Sequence, residues 1–393
     1  MRELNHDVRY LGVDDLEIDK FESQYDVPEG ISYNSYLILD EQVAVMDTCD
    51  GAKGEAWKDN LFEALGGRTP DYLVVHHLEP DHSALIGWML NQWPTLTLVA
   101  SAKAIQMLPQ FFEEIDSKGR TRTVKEGDML TLGQHSLQFI SAAMIHWPEV
   151  MVSYDKYDGA LYSADAFGKF GALSRCGFQG SDDNDWACEA RRYYFNIVGK
   201  YGVPVQTLLG KVKDLPLKSI RPLHGPVLNA NLNDYVELYD TWSRYEPETE
   251  GIFVAHASIH GNTAVAAKKI VEILREQGVE HIAISDLCRS DMAENVEDAF
   301  RYSKMIVAAS SYDAGLFSPM YDFLHRLQIK GYSKRKVALV ENGSWAPSAG
   351  RVMKEMLSEM KHVTIVDPMV TIRSSMKVND VPLLTALVQS LLA

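Results

Sequence analysis

The run His77-Leu78-Glu79-Pro80-Asp81-His82 places two imidazoles and two carboxylates within six residues, directly after His76 and the apolar stretch Tyr72-Leu73-Val74-Val75. Imidazole nitrogens and carboxylate oxygens are the donors that borderline and hard divalent cations take. In an extended chain alternate residues share a face, so His77, Glu79 and Asp81 are expected to point together while His76 and Leu78 point away. His82 falls off that period. A single ion cannot easily collect every donor from so short a piece, whereas two adjacent ions can divide them.

Further candidate ligands stand where other apolar stretches give way to loops. They are His146 in Met144-Ile145-His146-Trp147-Pro148, Asp165 in Tyr162-Ser163-Ala164-Asp165-Ala166, and His224 in Leu223-His224-Gly225-Pro226. One histidine after a strand is usually a packing or surface residue, and one aspartate there usually caps a turn. Here all of those ordinary explanations would have to hold at once. Trp147, beside a candidate ligand, either shields a pocket or merely packs.

A second set of residues suits a phosphate and a planar ring. Ser258-Ile259-His260-Gly261-Asn262-Thr263 follows an apolar strand and precedes a helix, and hydroxyls, an amide and backbone N–H groups at a helix N-terminus form an anion site. The lysine of a nucleotide P-loop and the GxGxxG fingerprint are both missing, which disfavours ATP and dinucleotides. Ser310-Ser311-Tyr312-Asp313-Ala314-Gly315 and Asn342-Gly343-Ser344-Trp345-Ala346 follow two later strands. Their glycines permit close backbone approach, and Tyr312 or Trp345 can stack on a ring.

These residues need elements to position them. Residues 31–39 and 42–47 read as paired strands joined at Asp40-Glu41, followed by a helix over 55–65 that Gly66-Gly67 closes. After the ligand-bearing strand, Ser83 is expected to cap a helix to residue 92, with a strand at 96–100 and a helix at 102–112. Short alternating segments at 129–132, 136–142, 150–154 and 161–163 read as antiparallel strands. Helices near 185–199 and 203–215 precede a strand leading to His224. The polar stretch 245–251 reads as a linker. Beyond it, short strands at 252–257, 281–286, 305–309, 336–341 and 363–366 each precede a helix-length segment, which predicts a doubly wound parallel sheet. The expected domains are residues 1–246 and 251–393.

At 393 residues, 46% hydrophobic and 23% charged, the chain fits two globular domains, and no apolar run reaches the length of a membrane span. Its polar N-terminus lacks the apolar core of a signal peptide, so a cytoplasmic protein is expected. A net charge of -16 argues against nucleic acid as the main partner. Cys49, Cys176, Cys188 and Cys288 form no CxxC pair and read as reduced thiols.

The ligand pattern resembles the metallo-β-lactamase fold, whose motif is His-x-His-x-Asp-His followed by a distant His, Asp and His; here Glu79 stands at the second position. Three carboxylates make a harder, more anionic site that favours iron or manganese over zinc. Iron, unlike zinc, also changes valence. The second half resembles flavodoxin, which implies FMN with its phosphate on the 258–263 loop and its ring between the other two loops. In order and over essentially the whole chain, the motifs resemble those of the flavodiiron proteins (A-type flavoproteins). That resemblance implies an αββα metallo-β-lactamase-like sandwich and a five-stranded flavodoxin-like domain. It implies one iron on His77, Glu79, His146 and Asp165, and a second on Asp81, His82 and His224 with Asp165 bridging; in some members the equivalent of His82 is not a ligand. It further implies reduction of O2 to water or of NO to N2O, and an external donor such as rubredoxin, a reduced deazaflavin or an NADH-linked reductase. A head-to-tail homodimer or dimer of dimers is implied as well. The alternatives are a dinuclear zinc hydrolase fused to a flavodoxin domain, and an electron-transfer protein with a relic metal domain. The basic cluster His325, Arg326, Lys330, Lys334, Arg335 and Lys336 suggests a dock for an acidic donor, against the plainer reading of a solvated helix end.

Overall fold

The computed structural model describes residues 2–112, 119–180 and 186–393, and they form two compact units. The first unit contains residues up to 194 together with 203–240; the second contains 195–202 and 241–393.

The first unit is built on two sheets. One runs in the order Arg2–Glu3, Val8–Tyr10, Tyr36–Leu39, Val43–Met46, Tyr72–Val74, Thr97–Ser101, Thr121–Val124, antiparallel as far as Val43–Met46 and parallel beyond it. The other runs Met129–Thr131, Ser136–Ser141, Met151–Asp155, Ala160–Tyr162, Ser219–Arg221, antiparallel except for its last pair. One buried cluster joins them, with Val8, Ile38, Met46 and Val74 from the first sheet and Leu137, Phe139, Met151 and Tyr162 from the second. This is the expected sandwich, with the helices Gly54–Leu65 and Ala102–Phe111 beside the first sheet.

Three details differ from the sequence reading. The 31–39 strand is broken at Asn34-Ser35, because the Asn34 amide donates to the carbonyls of Pro222 and Gly225 and ties this kink to the loop around His224. Ser83 does not cap the next helix; Pro80–Ser83 is a separate helical turn, and the Ser83 hydroxyl donates to Leu78 O. A helix over Leu232–Ser243 escaped notice in the sequence. The expected helix starting at residue 185 is described from Trp186; residue 185 itself lies outside the described residues.

The second unit has the parallel order Ile282–Asp286, Thr249–Ala257, Tyr302–Tyr312, Lys336–Asn342, with the fifth position shared by Thr364–Ile365 and Val370–Ile372. This is the doubly wound arrangement, and its strands exit toward one edge. The stretch expected as a linker is packed. Tyr245 donates from its hydroxyl to Gly199 O, its own carbonyl accepts from Arg335, and Trp242 donates to Glu248. Phe195 stacks on Phe300 at 4.1 Å, which draws residues 195–202 into this unit.

Candidate metal centre and cofactor pocket

Tyr72–Val74 lies between two other strands, so its exit is fixed from both sides. Asp47, at the exit of Val43–Met46, adopts a left-handed φ of 56°. Its Oδ1 accepts from the backbone N of His76 at 2.7 Å and of His77 at 3.4 Å, and its Oδ2 meets His76 Nδ1 at 2.6 Å. His76 Nε2 lies 2.8 Å from Ser153 Oγ, so His76 turns away from its neighbour as alternation requires and anchors the exit. The alternation ends at Pro80. Proline at the first position of a helical turn is favourable, and that turn carries Asp81 and His82 off the extended run. Asp81 therefore does not continue the face of His77 and Glu79, contrary to the extended-chain expectation.

Two groups result. Ligand atoms of His77, Glu79, His146 and Asp165 all lie within 4.8 Å of one another, as do those of Asp81, His82 and His224. Glu79 Oε2 is 3.1 Å from Nε2 of both His77 and His146. Asp81 Oδ2 is 3.3 Å from Nε2 of both His82 and His224. Asp165 lies between the groups: its Oδ2 is 3.1 Å from His146 Nε2 and 3.4 Å from His77 Nε2, while its Oδ1 is 3.2 Å from His82 Nε2. All seven sequence candidates thus converge.

The chemistry of this convergence is that of a cation site. Both oxygens of Asp81 and Oδ1 of Asp165 are buried without a hydrogen-bond partner among the described residues. Each such atom costs about 1–3 kcal/mol unless something satisfies it. Burial works against charge on His77 and His146, yet the carboxylates of Asp165 and Glu79 at both, joined by Glu149 at His77, outweigh it and raise both, His146 to about 9. Burial likewise opposes ionisation of Glu79 and Asp165, and the facing histidines still hold both well below the usual carboxylate range. Protons and metal ions therefore compete for the same donors.

Four neighbours were not picked out in the sequence. They are Asp47, Ser153, Glu149, whose Oε1 accepts from His77 Nδ1 at 2.8 Å, and Tyr193, whose ring lies 5.6 Å from His224. The Tyr193 hydroxyl is buried without a partner among the described residues; burial and then the charges of Asp165, Glu79 and Asp81 push its ionisation up. Asp47 was detectable in principle, since it too follows an apolar strand. Trp147 packs its ring edge-on against His77 at 5.3 Å and stacks near Phe111.

The second unit holds a cavity of about 630 Å³ at the edge where its strands exit. Every residue proposed for the phosphate and ring lines it except Gly261 and Gly315, and Ile259, Pro347, Ser348 and Ser374 complete the wall. Gly261 instead caps the helix Asn262–Glu276 with a φ of 87°, which only glycine adopts freely, and Gly315 pairs with Tyr312. Thr263 and Ser310 share a hydrogen bond of 2.9 Å that ties the first loop to the second. The Ser258 hydroxyl is buried without a partner among the described residues. Trp345 is 89% exposed at the rim.

The basic cluster is largely committed to internal partners. Arg335 is buried and donates to the carbonyls of Tyr302, Tyr245 and Phe300, Arg326 pairs with Asp322, and Lys334 with Glu246.

Residues 31–225 match the domain family described as ODP family beta lactamase. The chain is 32% identical over 239 residues to the putative diflavin flavoprotein A 1 of Nostoc sp., covering 60% of this chain and 40% of that protein. It is 25% identical to the anaerobic nitric oxide reductase flavorubredoxin of Vibrio vulnificus, covering 87% of this chain and 70% of that protein. The chain spans about half the length of the diflavin relatives it matches. In fold it superposes on the rubredoxin oxygen:oxidoreductase of Desulfovibrio gigas with a TM-score of 0.92 at 21% identity, covering 99% of this chain and 97% of that one. A metallo-β-lactamase-like sandwich followed by a flavodoxin-like sheet is the class these features define. In its matched domain and in its fold the chain is similar to the flavodiiron (A-type flavoprotein) family.

Proposed function

We propose that this chain is a cytoplasmic oxidoreductase that reduces O2 to water, NO to N2O, or both, at two non-haem irons, with FMN delivering electrons from an external donor. The observation that carries this reading is Asp165, which turns one oxygen to each of two adjacent ligand groups. The residues fit the groups assigned to them. His77, Glu79, His146 and Asp165 would hold one iron, and Asp81, His82, His224 and the shared Asp165 the other. The unpartnered oxygens of Asp81 and Asp165 support that assignment. The cavity of about 630 Å³ falls in the range of small-molecule sites, and the idle Ser258 hydroxyl in the loop that leads into a 15-residue helix suits a phosphate. We assign the first unit, within the expected residues 1–246, to the iron-binding function and the second, which contains 251–393, to FMN.

When bound, FMN stores two electrons and a diferrous pair two more, together the four that reduction of O2 to water takes, while two NO need only two. The protein's part is positional. Asp47 and Glu149 fix the exit on which His77 sits, Trp147 packs against its ring, and the buried histidines and carboxylates hold their donors in place. Glu79 distinguishes the site from a zinc hydrolase, because a carboxylate in place of an imidazole favours iron. The family pattern suggests a head-to-tail dimer, and rubredoxin, a reduced deazaflavin and an NADH-linked reductase stand as candidate donors. The test is anaerobic stopped-flow of the fully reduced protein against O2 and NO separately, with metal analysis of the same sample. Iron with water or N2O as product is expected. Stoichiometric zinc with no iron, or abundant peroxide from iron-loaded protein, would overturn the reading.

A further inference from the structure

We propose that Glu149 is a positioning residue that orients the His77 ring and lends its negative charge to the metal bound there; this rests on the two-iron reading above. Glu149 is buried, and its Oε1 takes two donors at once, His77 Nδ1 at 2.8 Å and the backbone N of Leu78 at 3.0 Å. A carboxylate only accepts, so Nδ1 carries the ring proton. Nε2, which faces Glu79 Oε2 at 3.1 Å and Asp165 Oδ2 at 3.4 Å, therefore presents its lone pair to the ligand group. Glu149 is anchored in turn. Its carbonyl accepts from Ser101 Oγ at 2.8 Å, and the same Oγ accepts from Ala104 N at the start of the helix Ala102–Phe111.

Orientation alone does not require a glutamate. One amide oxygen would serve both donors, and Oε2 of Glu149 is buried without a hydrogen-bond partner among the described residues. A buried anion with an idle oxygen is costly unless its charge is used. What glutamate adds over glutamine is that charge, set directly behind His77. The other ligand group differs: His224 Nδ1 donates to the neutral carbonyl of Ser32 at 2.8 Å, and His82 Nδ1 has no partner among the described residues. A carboxylate on the far nitrogen makes an imidazole a stronger donor, which favours the more highly charged state of its metal. The iron on the His77 side is therefore the harder of the two to reduce.

The experiment compares Glu149→Gln and Glu149→Asp with the wild-type full chain carrying its iron and FMN. Iron content and the midpoint potential of the half-reduced iron pair, followed by electron paramagnetic resonance, are the readouts. Glu149→Gln should keep its iron and shift the midpoint upward, while Glu149→Asp stays near the wild type. Loss of iron from Glu149→Gln alone, with Glu149→Asp still loaded, supports the same need for charge. An unshifted midpoint in iron-loaded Glu149→Gln, or two variants that change alike, overturns the proposal. If Glu149→Gln does not fold, the midpoint of Glu149→Asp must match the wild type's for the proposal to stand. A wild-type protein without two irons would instead overturn the functional reading, which separates the two failures.

Discussion

Asp165 is where the two ligand groups depend on one side chain, with one oxygen facing His146 and the other His82. Asp165→Ala should bring the iron content from two per chain to one or none, read by metal analysis; two retained irons would refute a shared role. His135 gives a pH prediction away from that centre. Its Nδ1 donates to Asp155 Oδ2 at 2.5 Å, and although burial opposes charge, the Asp155 carboxylate outweighs it and raises the histidine above its ordinary value. A raised histidine contributes stability that is fully present below the unfolded value of about 6.5 and is lost as pH rises through the folded value. His135→Gln should therefore lower the melting temperature more at pH 6 than at pH 9. An equal drop at both values would mean that the pair acts only by packing.

At the level of elements, both halves place their chemistry at strand exits. The Ser219–Arg221 strand runs into His224, and Gly225 directly after it has a φ of 79°; a Cβ there would lie 2.5 Å from Lys169 Cγ. Gly225→Ala should cost about 1–2 kcal/mol from the left-handed backbone alone. It should also displace His224, so urea unfolding would report the first effect and loss of one of two irons the second. In the other half, Trp345 stands on the loop after Lys336–Asn342 and is 89% exposed, so it contributes little to the core. Trp345→Ala should leave the melting temperature unchanged and weaken FMN about 2- to 10-fold, the worth of one aromatic contact; unchanged flavin affinity by fluorescence titration would remove Trp345 from the site. Strand exits were legible in the sequence because an apolar run ending in polar donors is a local pattern. The helical turn Pro80–Ser83 was not, because His77, Glu79 and Asp81 also satisfy an extended alternation and only Pro80 and the off-period His82 hint otherwise.

For the whole molecule, the prediction is a stoichiometry. With two electrons on FMN and two on the iron pair, a fully reduced chain should consume about one O2 in a single turnover and reoxidise completely. Consumption of about two O2 with peroxide as product would show that reduction stops after two electrons per O2. Among the described residues no helix is long and apolar enough to cross a membrane. The division into units was only partly readable. A polar, acidic, proline-containing stretch such as 245–251 looks like a free linker, but the packing of Tyr245 depends on partners far away in the chain.

The sequence alone determined the donor types, their order and the two-part grammar of sandwich and doubly wound sheet, because these rest on local periodicity and on residue chemistry at strand ends. It could name His77, Glu79, Asp81, His82, His146, Asp165 and His224, but not divide them by geometry. Only the tertiary structure turned Asp165 to both groups, tied the kink at Asn34 to the loop that carries His224, and brought Glu149 behind His77. Asn34 and Pro222 stand 188 positions apart, and His77 and Glu149 stand 72 apart, so no local pattern carries these contacts.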